Sequence, residues 1–171
     1  MTRAREVATD GGLVLINSTT FTAQSTVSFN NVFSSTYNNY KLLISATGSV
    51  VSANGNLRMR VGGVDNSSSN YARQFLRAIG GSVSGNFNTL TETNLVDVGT
   101  GFTSVATVEI FSPALAVNTR IQAHFNGVNT DTNYIGLFEA QHKVATAYDG
   151  FSFIPSAGTT TGTISIYGYK N

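Results

Sequence analysis

Polar and apolar residues alternate with a period of two along most of this sequence, which is typical of β-strands and not of helices. The pattern is clear at Tyr40, Leu42, Ile44 and Ala46, and it returns over residues 162–169. No apolar stripe with helical spacing continues for more than about ten residues. Asn, Gly and Ser residues bound about eight to eleven predicted strands. The sequence therefore predicts an all-β fold, a two-layer antiparallel β-sandwich of jelly-roll-like type.

The chain of 171 residues is long enough for one domain. Residues 1–12 are interpreted as a short N-terminal arm, because the pair Gly11-Gly12 interrupts the sequence before the first apolar run. Residues 13–171 are then the β-sandwich domain. The run from Leu13 to Ile16 has strand length, and we expect it to open the core, buried on both faces or lodged between subunits.

Composition argues against several classes of partner and chemistry. Ten basic and nine acidic residues give a net charge of +1, so neither a nucleic acid nor a membrane surface is an expected partner. The absence of Cys removes disulfides, thiolate nucleophiles and zinc-thiolate sites. No secretory h-region or run of about 18 apolar residues is found, so the chain is expected to be soluble and unprocessed. No cofactor is predicted.

The residues that most often carry catalysis are not arranged for it in the sequence. Glu139 and His142 lie three apart on a predicted strand, which places their side chains on opposite faces. His124 alternates with an apolar face and is expected to point outward. Both histidines are predicted to be surface or interface residues and not ligands. The nine carboxylates form no local pair, and no Gly-x-Ser-x-Gly elbow occurs. We therefore predict no enzyme.

Two loop-like segments resemble ligand motifs only in part. Residues 131–136 begin like a calcium-binding loop, but its twelfth position is His142 instead of a carboxylate. Residues 80–85 are rich in Gly and Ser and are predicted to be a flexible hairpin loop, without the Lys-Ser/Thr of a phosphate-binding loop. No metal site is predicted.

Arginine is concentrated in one part of the chain, at Arg58, Arg60, Arg73 and Arg77. Each of two predicted strands carries a same-face pair. If these strands are neighbours, the four side chains form a patch that could hold carboxylates of another subunit or of a protein lattice. The alternative is a solvated face with weak ion pairs.

Several segments carry a family resemblance. Residues 12–21, GLVLINSTTF, and residues 33–45, FSSTYNNYKLLIS, resemble a β-sandwich module of virion proteins from tailed bacteriophages. Residues 162–169, GTISIYGY, are similar to the C-terminal strand of that module, and Phe111-Ser112-Pro113 lies between them. Residues 3–8, RAREVA, look like the basic run that precedes such modules in phage fibres. The resemblance spans residues 12–171.

The resemblance implies a structural or adhesive role on the virion, commonly as a trimer, and it carries over no catalytic residues. A small domain without a fibre shaft fits a capsid decoration (cement) protein, which binds and stabilises the major capsid protein lattice. In this hypothesis the chain forms a homotrimer on the capsid surface. The expected contacts with the capsid or another virion protein are at Arg3, Arg5, Arg58, Arg60, Arg73 and Arg77. The expected trimer interface contains Leu13, Leu15 and Ile16.

Two alternatives remain at this point. One is a tail-fibre or receptor-binding module that recognises a host surface glycan through exposed Tyr and Asn side chains clustered at one end. The other is an enzyme that degrades surface polysaccharide, which needs two close carboxylates in a groove.

Overall fold

The computed structural model of the protein describes residues 12–129 and 132–170, and this part of the chain contains thirteen strands and no helix. The strands are β1 (Leu13–Gln24), β2 (Val27–Phe29), β3 (Asn39–Gly48), β4 (Ala53–Val61), β5 (Val64–Asp65), β6 (Tyr71–Ile79), β7 (Ser82–Leu90), β8 (Thr93–Val98), β9 (Ser104–Phe111), β10 (Thr119–Asn129), β11 (Thr132–His142), β12 (Gly150–Pro155) and β13 (Thr160–Tyr169). The predicted all-β fold is confirmed.

The strands form two antiparallel sheets that pack against each other. The large sheet has eight strands in the order β1-β13-β3-β9-β10-β11-β6-β7. The small sheet has the order β2-β12-β4-β5, and β8 pairs with a different stretch of β4. Strands β12 and β13 are consecutive but belong to different sheets, so the chain crosses from one layer to the other after Pro155. This two-layer arrangement is the antiparallel β-sandwich that the alternating pattern predicts.

The core lies between the sheets and consists of the apolar half of each alternation. On the large sheet, Leu42 of β3, Ile110 of β9 and Ile166 of β13 are almost completely buried. On the small sheet, Phe151 and Phe153 of β12 face them. Alternation thus divides the inner strands of the large sheet into a buried side and an outward side.

Aromatic rings fill much of the space between the sheets. Phe29 stacks on Phe151 with ring centroids 4.7 Å apart, and Phe125 stacks on Phe138 at 5.0 Å. Aromatic pairs at these separations stabilise the core in addition to the stabilisation that comes from burying their surface.

Strand β1 corrects the expectation for the first apolar run. It lies at the edge of the large sheet and pairs only with β13. Leu13 is 44% exposed and Leu15 is 55% exposed, while Ile16 is half-buried beside a register shift. The predicted burial on both faces is therefore wrong, because Leu13, Val14 and Leu15 are exposed at the end of an edge strand. A location between subunits remains a prediction.

Another local prediction is corrected as well. Residues 80–85, predicted to be a flexible loop, contain a two-glycine turn and the first part of β7. Residues 1–11 of the arm, including Arg3 and Arg5, and Asp131 of the calcium-loop-like segment lie outside the described residues.

Candidate interaction surface

The outward side chains of the large sheet form one broad surface, which we call the outer face. Cross-strand pairing sets these side chains in rows that run across the strands, about 4.8 Å apart from one strand to the next. Each row therefore collects residues that are far apart in the sequence, and the rows differ sharply in chemistry.

Two adjacent rows across six strands are mainly apolar. One contains Leu43, Thr107, His124, Leu137, Leu76 and Gly85. The next contains Ser45, Val105, Asn126, Ile135, Ala78 and Val83. We call these two rows the apolar half of the outer face.

The apolar half exposes large aliphatic side chains to an unusual degree. Ile135 is 63% exposed and Val83 is 69% exposed, and Leu43, Leu76, Val105 and Leu137 are each between 41% and 49% exposed. Part of this surface is concave and encloses a hollow of about 580 Å³. Scattered exposed aliphatic residues are ordinary, but here six lie on one face of one sheet, two on one side of His124 and Asn126 and four on the other. Such a concentration is typical of an interaction surface.

The next two rows are polar, and their central part forms a second hollow of about 520 Å³. We call it the polar hollow. Its outward side chains are Gln74, Phe87, Phe111, Arg120, Gln122, Glu139 and Gln141. Within the described part of the chain, its five polar side chains make no hydrogen bond or ion pair with the protein. Their hydrogen-bond donors and acceptors therefore face solvent.

An ion pair borders the polar hollow on β3 and β9. Lys41 Nζ lies 3.0 Å from Glu109 Oε1, and the Tyr169 hydroxyl donates to Glu109 Oε2 at 2.7 Å. The hydrogen bond with Glu109 raises the pKa of Lys41. These charges are satisfied inside the protein, unlike those of Arg120 and Glu139.

The edge strand β1 continues the outer face at its far side. Leu15 lies opposite Tyr167, which in turn lies opposite Lys41, so Leu15 belongs to the same row as the ion pair. Leu13 lies opposite Tyr169. The predicted interface residues Leu13 and Leu15 are therefore exposed, and they adjoin the outer face.

The structure separates the four clustered arginines. Arg58 and Arg60 lie on β4 in the small sheet, whereas Arg73 and Arg77 lie on β6 in the large sheet. The condition for a shared patch, that the two strands are neighbours, is thus not met. Arg58 forms an ion pair with Glu92 at 2.8 Å, and Arg60 forms one with Asp65 at 2.5 Å. No shared guanidinium patch forms.

Arg73 and Arg77 point into the space between the sheets. Arg73 is only 7% exposed and donates to the Asn94 side-chain oxygen of β8, while Arg77 pairs with Asp97 of the same strand. Both guanidinium groups also lie within 6 Å of the centre of the Phe75 ring. Burial lowers the pKa of Arg73 and raises that of Asp97, although Arg77 and Arg73 partly offset the latter. This is an internal polar cluster, and Arg73 is not presented to a partner.

The two histidines have different environments. His124 is exposed in the middle of the apolar half, as predicted. His142 is fully buried, so its predicted surface position is wrong. It follows Gln141 at the end of β11 and faces inward, on the side opposite Glu139.

The acidic side chains are mostly engaged with cations. Among the described residues, Asp65, Glu92, Asp97 and Glu109 each belong to an ion pair. No group of three or more His, Asp or Glu side chains in residues 12–129 and 132–170 is placed to hold a metal ion. The same part of the chain has no helix that is long and apolar enough to cross a membrane.

Neither half of the outer face was predicted from the sequence, because each depends on register across several strands. A partial signal was present: Leu43, Val105, Ile135 and Leu137 stand at positions where the alternation calls for polar residues. Apolar residues on both faces of a strand indicate a surface that needs a second partner.

The fold is a charge-poor antiparallel β-sandwich, and the outer face of its large sheet is amphiphilic. No protein-family model matches the sequence, and a search of curated proteins finds no match.

Proposed function

We propose that this chain is a structural protein of a bacteriophage virion, a homotrimeric capsid decoration protein that binds and stabilises the major capsid lattice. The observation that carries this proposal is the apolar half of the outer face, which leaves six aliphatic side chains without cover. The resemblance of residues 12–21, 33–45, 111–113 and 162–169 to phage virion modules supports the same assignment.

The size of the outer face agrees with a subunit interface. Eight strands and four rows of outward side chains give roughly 900 Å², against about 800 Å² per partner in a standard interface. The apolar half accounts for roughly 400 Å² of this area. Polar rows beside an apolar centre match the usual anatomy of an interface, in which a polar rim surrounds a desolvated core.

The edge strand β1 supplies a second surface for assembly. An edge strand presents unpaired backbone groups that favour pairing with another chain. In our proposal Leu13, Leu15 and Ile16 contribute to closing the trimer. Residues 1–12, with Arg3 and Arg5, then extend from the trimer and contact the capsid. Three weak attachments on one trimer reinforce one another through effective concentration.

Quantitative mass spectrometry of purified virions tests this proposal through the ratio of this chain to the major capsid protein. A ratio comparable with the capsid protein is expected for a decoration protein. Absence from virions would overturn the proposal. Deleting residues 2–10 should reduce attachment to the capsid while the purified trimer stays folded, and full retention of the shortened chain would contradict the role of the arm.

The polar hollow favours a second candidate, a tail-fibre or receptor-binding module that recognises a host surface glycan. Unpaired amide and charged side chains between aromatic rings suit hydroxyl-rich ligands. A tail module would be present at only a handful of copies per virion, so the same mass spectrometry separates the two candidates.

A further inference from the structure

The polar hollow contains more hydrogen-bonding capacity than the fold uses. Gln74, Arg120, Gln122, Glu139 and Gln141 project from three adjacent strands and lack any protein partner among the described residues. An interior structural role is excluded because all five lie on the outer face, and Arg120 and Glu139 are exposed.

The arrangement of these side chains is regular. Gln122 lies opposite Glu139, which lies opposite Gln74, and the row continues to Phe87. In the adjoining row, Phe111 lies opposite Arg120, which lies opposite Gln141. Phe111 and Phe87 stand four strands apart, about 19 Å at the usual strand spacing. The hollow is therefore an elongated polar strip with an aromatic ring toward each end.

We propose that the polar hollow is a carbohydrate-binding site for a neutral oligosaccharide that lies across strands β9, β10, β11, β6 and β7. Adjacent sugar hydroxyls need neighbouring donors and acceptors. A glutamine amide supplies both, a guanidinium supplies only donors, and a carboxylate only acceptors. The five polar side chains thus offer the mixture of groups that a ring with several hydroxyls requires.

The aromatic residues supply the apolar contact that sugar recognition also needs. Phe87 is 59% exposed, so its ring is open to a ligand. The face of an aromatic ring is electron-rich and attracts the weakly positive C–H groups on one face of a sugar ring. Removal of this ring should therefore weaken binding without disturbing the hydrogen-bonding groups.

The equal numbers of basic and acidic side chains in the polar rows favour a neutral ligand. The two polar rows carry Lys41 and Arg120 against Glu109 and Glu139, and Lys41 and Glu109 already neutralise each other. An acidic polysaccharide would place its carboxylates near Glu139, and a cationic ligand would meet Arg120. An uncharged oligosaccharide can form hydrogen bonds with both groups, and it brings no further charge into the hollow.

The inference shares its ligand class, a glycan, with the second candidate function and specifies that ligand further, but it does not depend on where the protein is located. It needs neither the head nor the tail assignment, because the hollow belongs to a single chain. If the apolar half is covered by a second copy, the polar rows remain at the rim of that interface.

Binding of neutral hexasaccharides to the purified full chain tests the proposal. The probes are gluco-oligosaccharides with α-1,4, β-1,4 and β-1,3 linkages, chitohexaose, and manno- and galacto-hexaoses, measured by isothermal titration calorimetry. At least one probe is expected to bind with millimolar or better affinity. Phe87→Ala should weaken that binding about tenfold, and Glu139→Gln and Gln122→Ala should weaken it several-fold. Val64→Ala, at a 69% exposed position on the small sheet, is the matched control and should leave the affinity unchanged.

Two results would overturn the proposal. One is the absence of binding to every probe at about 10 mM, well above a millimolar dissociation constant. The other is binding that Phe87→Ala, Gln122→Ala and Glu139→Gln leave intact. Circular dichroism of each variant establishes that the sandwich is folded, so that lost affinity reports on the site. Virion copy number does not enter this measurement, and its outcome is therefore separate from that of the proposed function.

Discussion

The imidazole of His142 and the hydroxyl of Tyr148 form a buried pair, with Nε2 and the phenolic oxygen 2.6 Å apart. Asn66 donates to the same hydroxyl oxygen, which leaves the Tyr148 proton free to point at the imidazole. The imidazole also lies against the Tyr71 ring, with centroids 4.2 Å apart. Burial lowers the pKa of His142 to about 4. The histidine is therefore a neutral core residue at ordinary pH.

This pair predicts that acid destabilises the fold through His142. Above pH 6.5 the imidazole is neutral in both the folded and the unfolded chain, and it contributes no pH dependence. Between pH 6.5 and about 4 the unfolded chain binds a proton that the folded chain does not, so the free energy of unfolding falls as the pH is lowered. The expected loss is about 2–3 kcal/mol. Urea denaturation at pH 7 and at pH 4 measures it.

His142→Gln is the control for this effect, because it keeps a hydrogen-bonding side chain but does not titrate. The variant should lose less stability than the natural chain over the same pH interval. Equal losses in the two proteins would assign the acid sensitivity to other groups.

The internal ion pair between Arg77 and Asp97 should be the most costly to break. The Asp97 side chain is 5% exposed, and Asp97→Asn leaves the partly buried Arg77 guanidinium without its carboxylate. We expect a loss of about 3 kcal/mol in the free energy of unfolding, measured by urea denaturation at pH 7.

The pair between Arg58 and Glu92 is the matched comparison, because its side chains are 28% and 21% exposed. Glu92→Gln should cost about 1 kcal/mol or less. Similar losses at the two sites would show that burial does not set the strength of these pairs.

Gly150 begins β12 where the chain passes very close to its neighbour. A Cβ atom at this position would lie 1.9 Å from the carbonyl oxygen of Phe29, which is backbone and has little room to move. Gly150→Ala should therefore lower the free energy of unfolding by about 3 kcal/mol. Gly12→Ala is the control, because no atom lies within 4 Å of its Cβ. Thermal denaturation compares the two, and equal midpoints would refute the predicted clash.

The strands with clear alternation could be predicted from the sequence, and those at the sheet edges could not. The alternation at Tyr40, Leu42, Ile44 and Ala46, for example, lies within β3, and all four side chains are buried. Strand β7 was missed because it is a sheet edge that is exposed on both faces and rich in Ser, Asn and Gly. The opposite error occurred at Leu13 to Ile16, where local hydrophobicity indicated burial. Edge position is a property of the assembled sheet, and local pattern carries no information about it.

The candidate surface depends on pairing between distant parts of the chain even more than the position of a strand in the sheet does. Leu43 and Val83 are forty residues apart in the sequence, and they share the apolar half only because four strands lie between them in register. The contacts of the clustered arginines could not be predicted from the sequence for the same reason. Arg73 and Arg77 occupy inward positions of β6, and their partners Asn94 and Asp97 come from a strand that pairs with the other sheet.

The apolar half provides the last prediction, which concerns self-association. Ile135 and Leu137 lie on β11 near its centre, and replacing either by Arg would place a charge in a desolvated interface without a partner. Ile135→Arg and Leu137→Arg should convert the expected trimer to a monomer at micromolar concentration. Size-exclusion chromatography with light scattering measures the molar mass of each variant and so its oligomeric state.

Two further variants determine which surface joins the subunits. Val64→Arg adds the same charge at an exposed position of the small sheet and should leave the oligomer intact. Leu15→Lys changes the edge strand without altering the apolar half. If Leu15→Lys dissociates the oligomer and Leu137→Arg does not, the edge strand closes the trimer and the apolar half binds another partner. If both variants remain fully associated, neither surface is the subunit interface, because a buried unpaired charge at either one would oppose assembly.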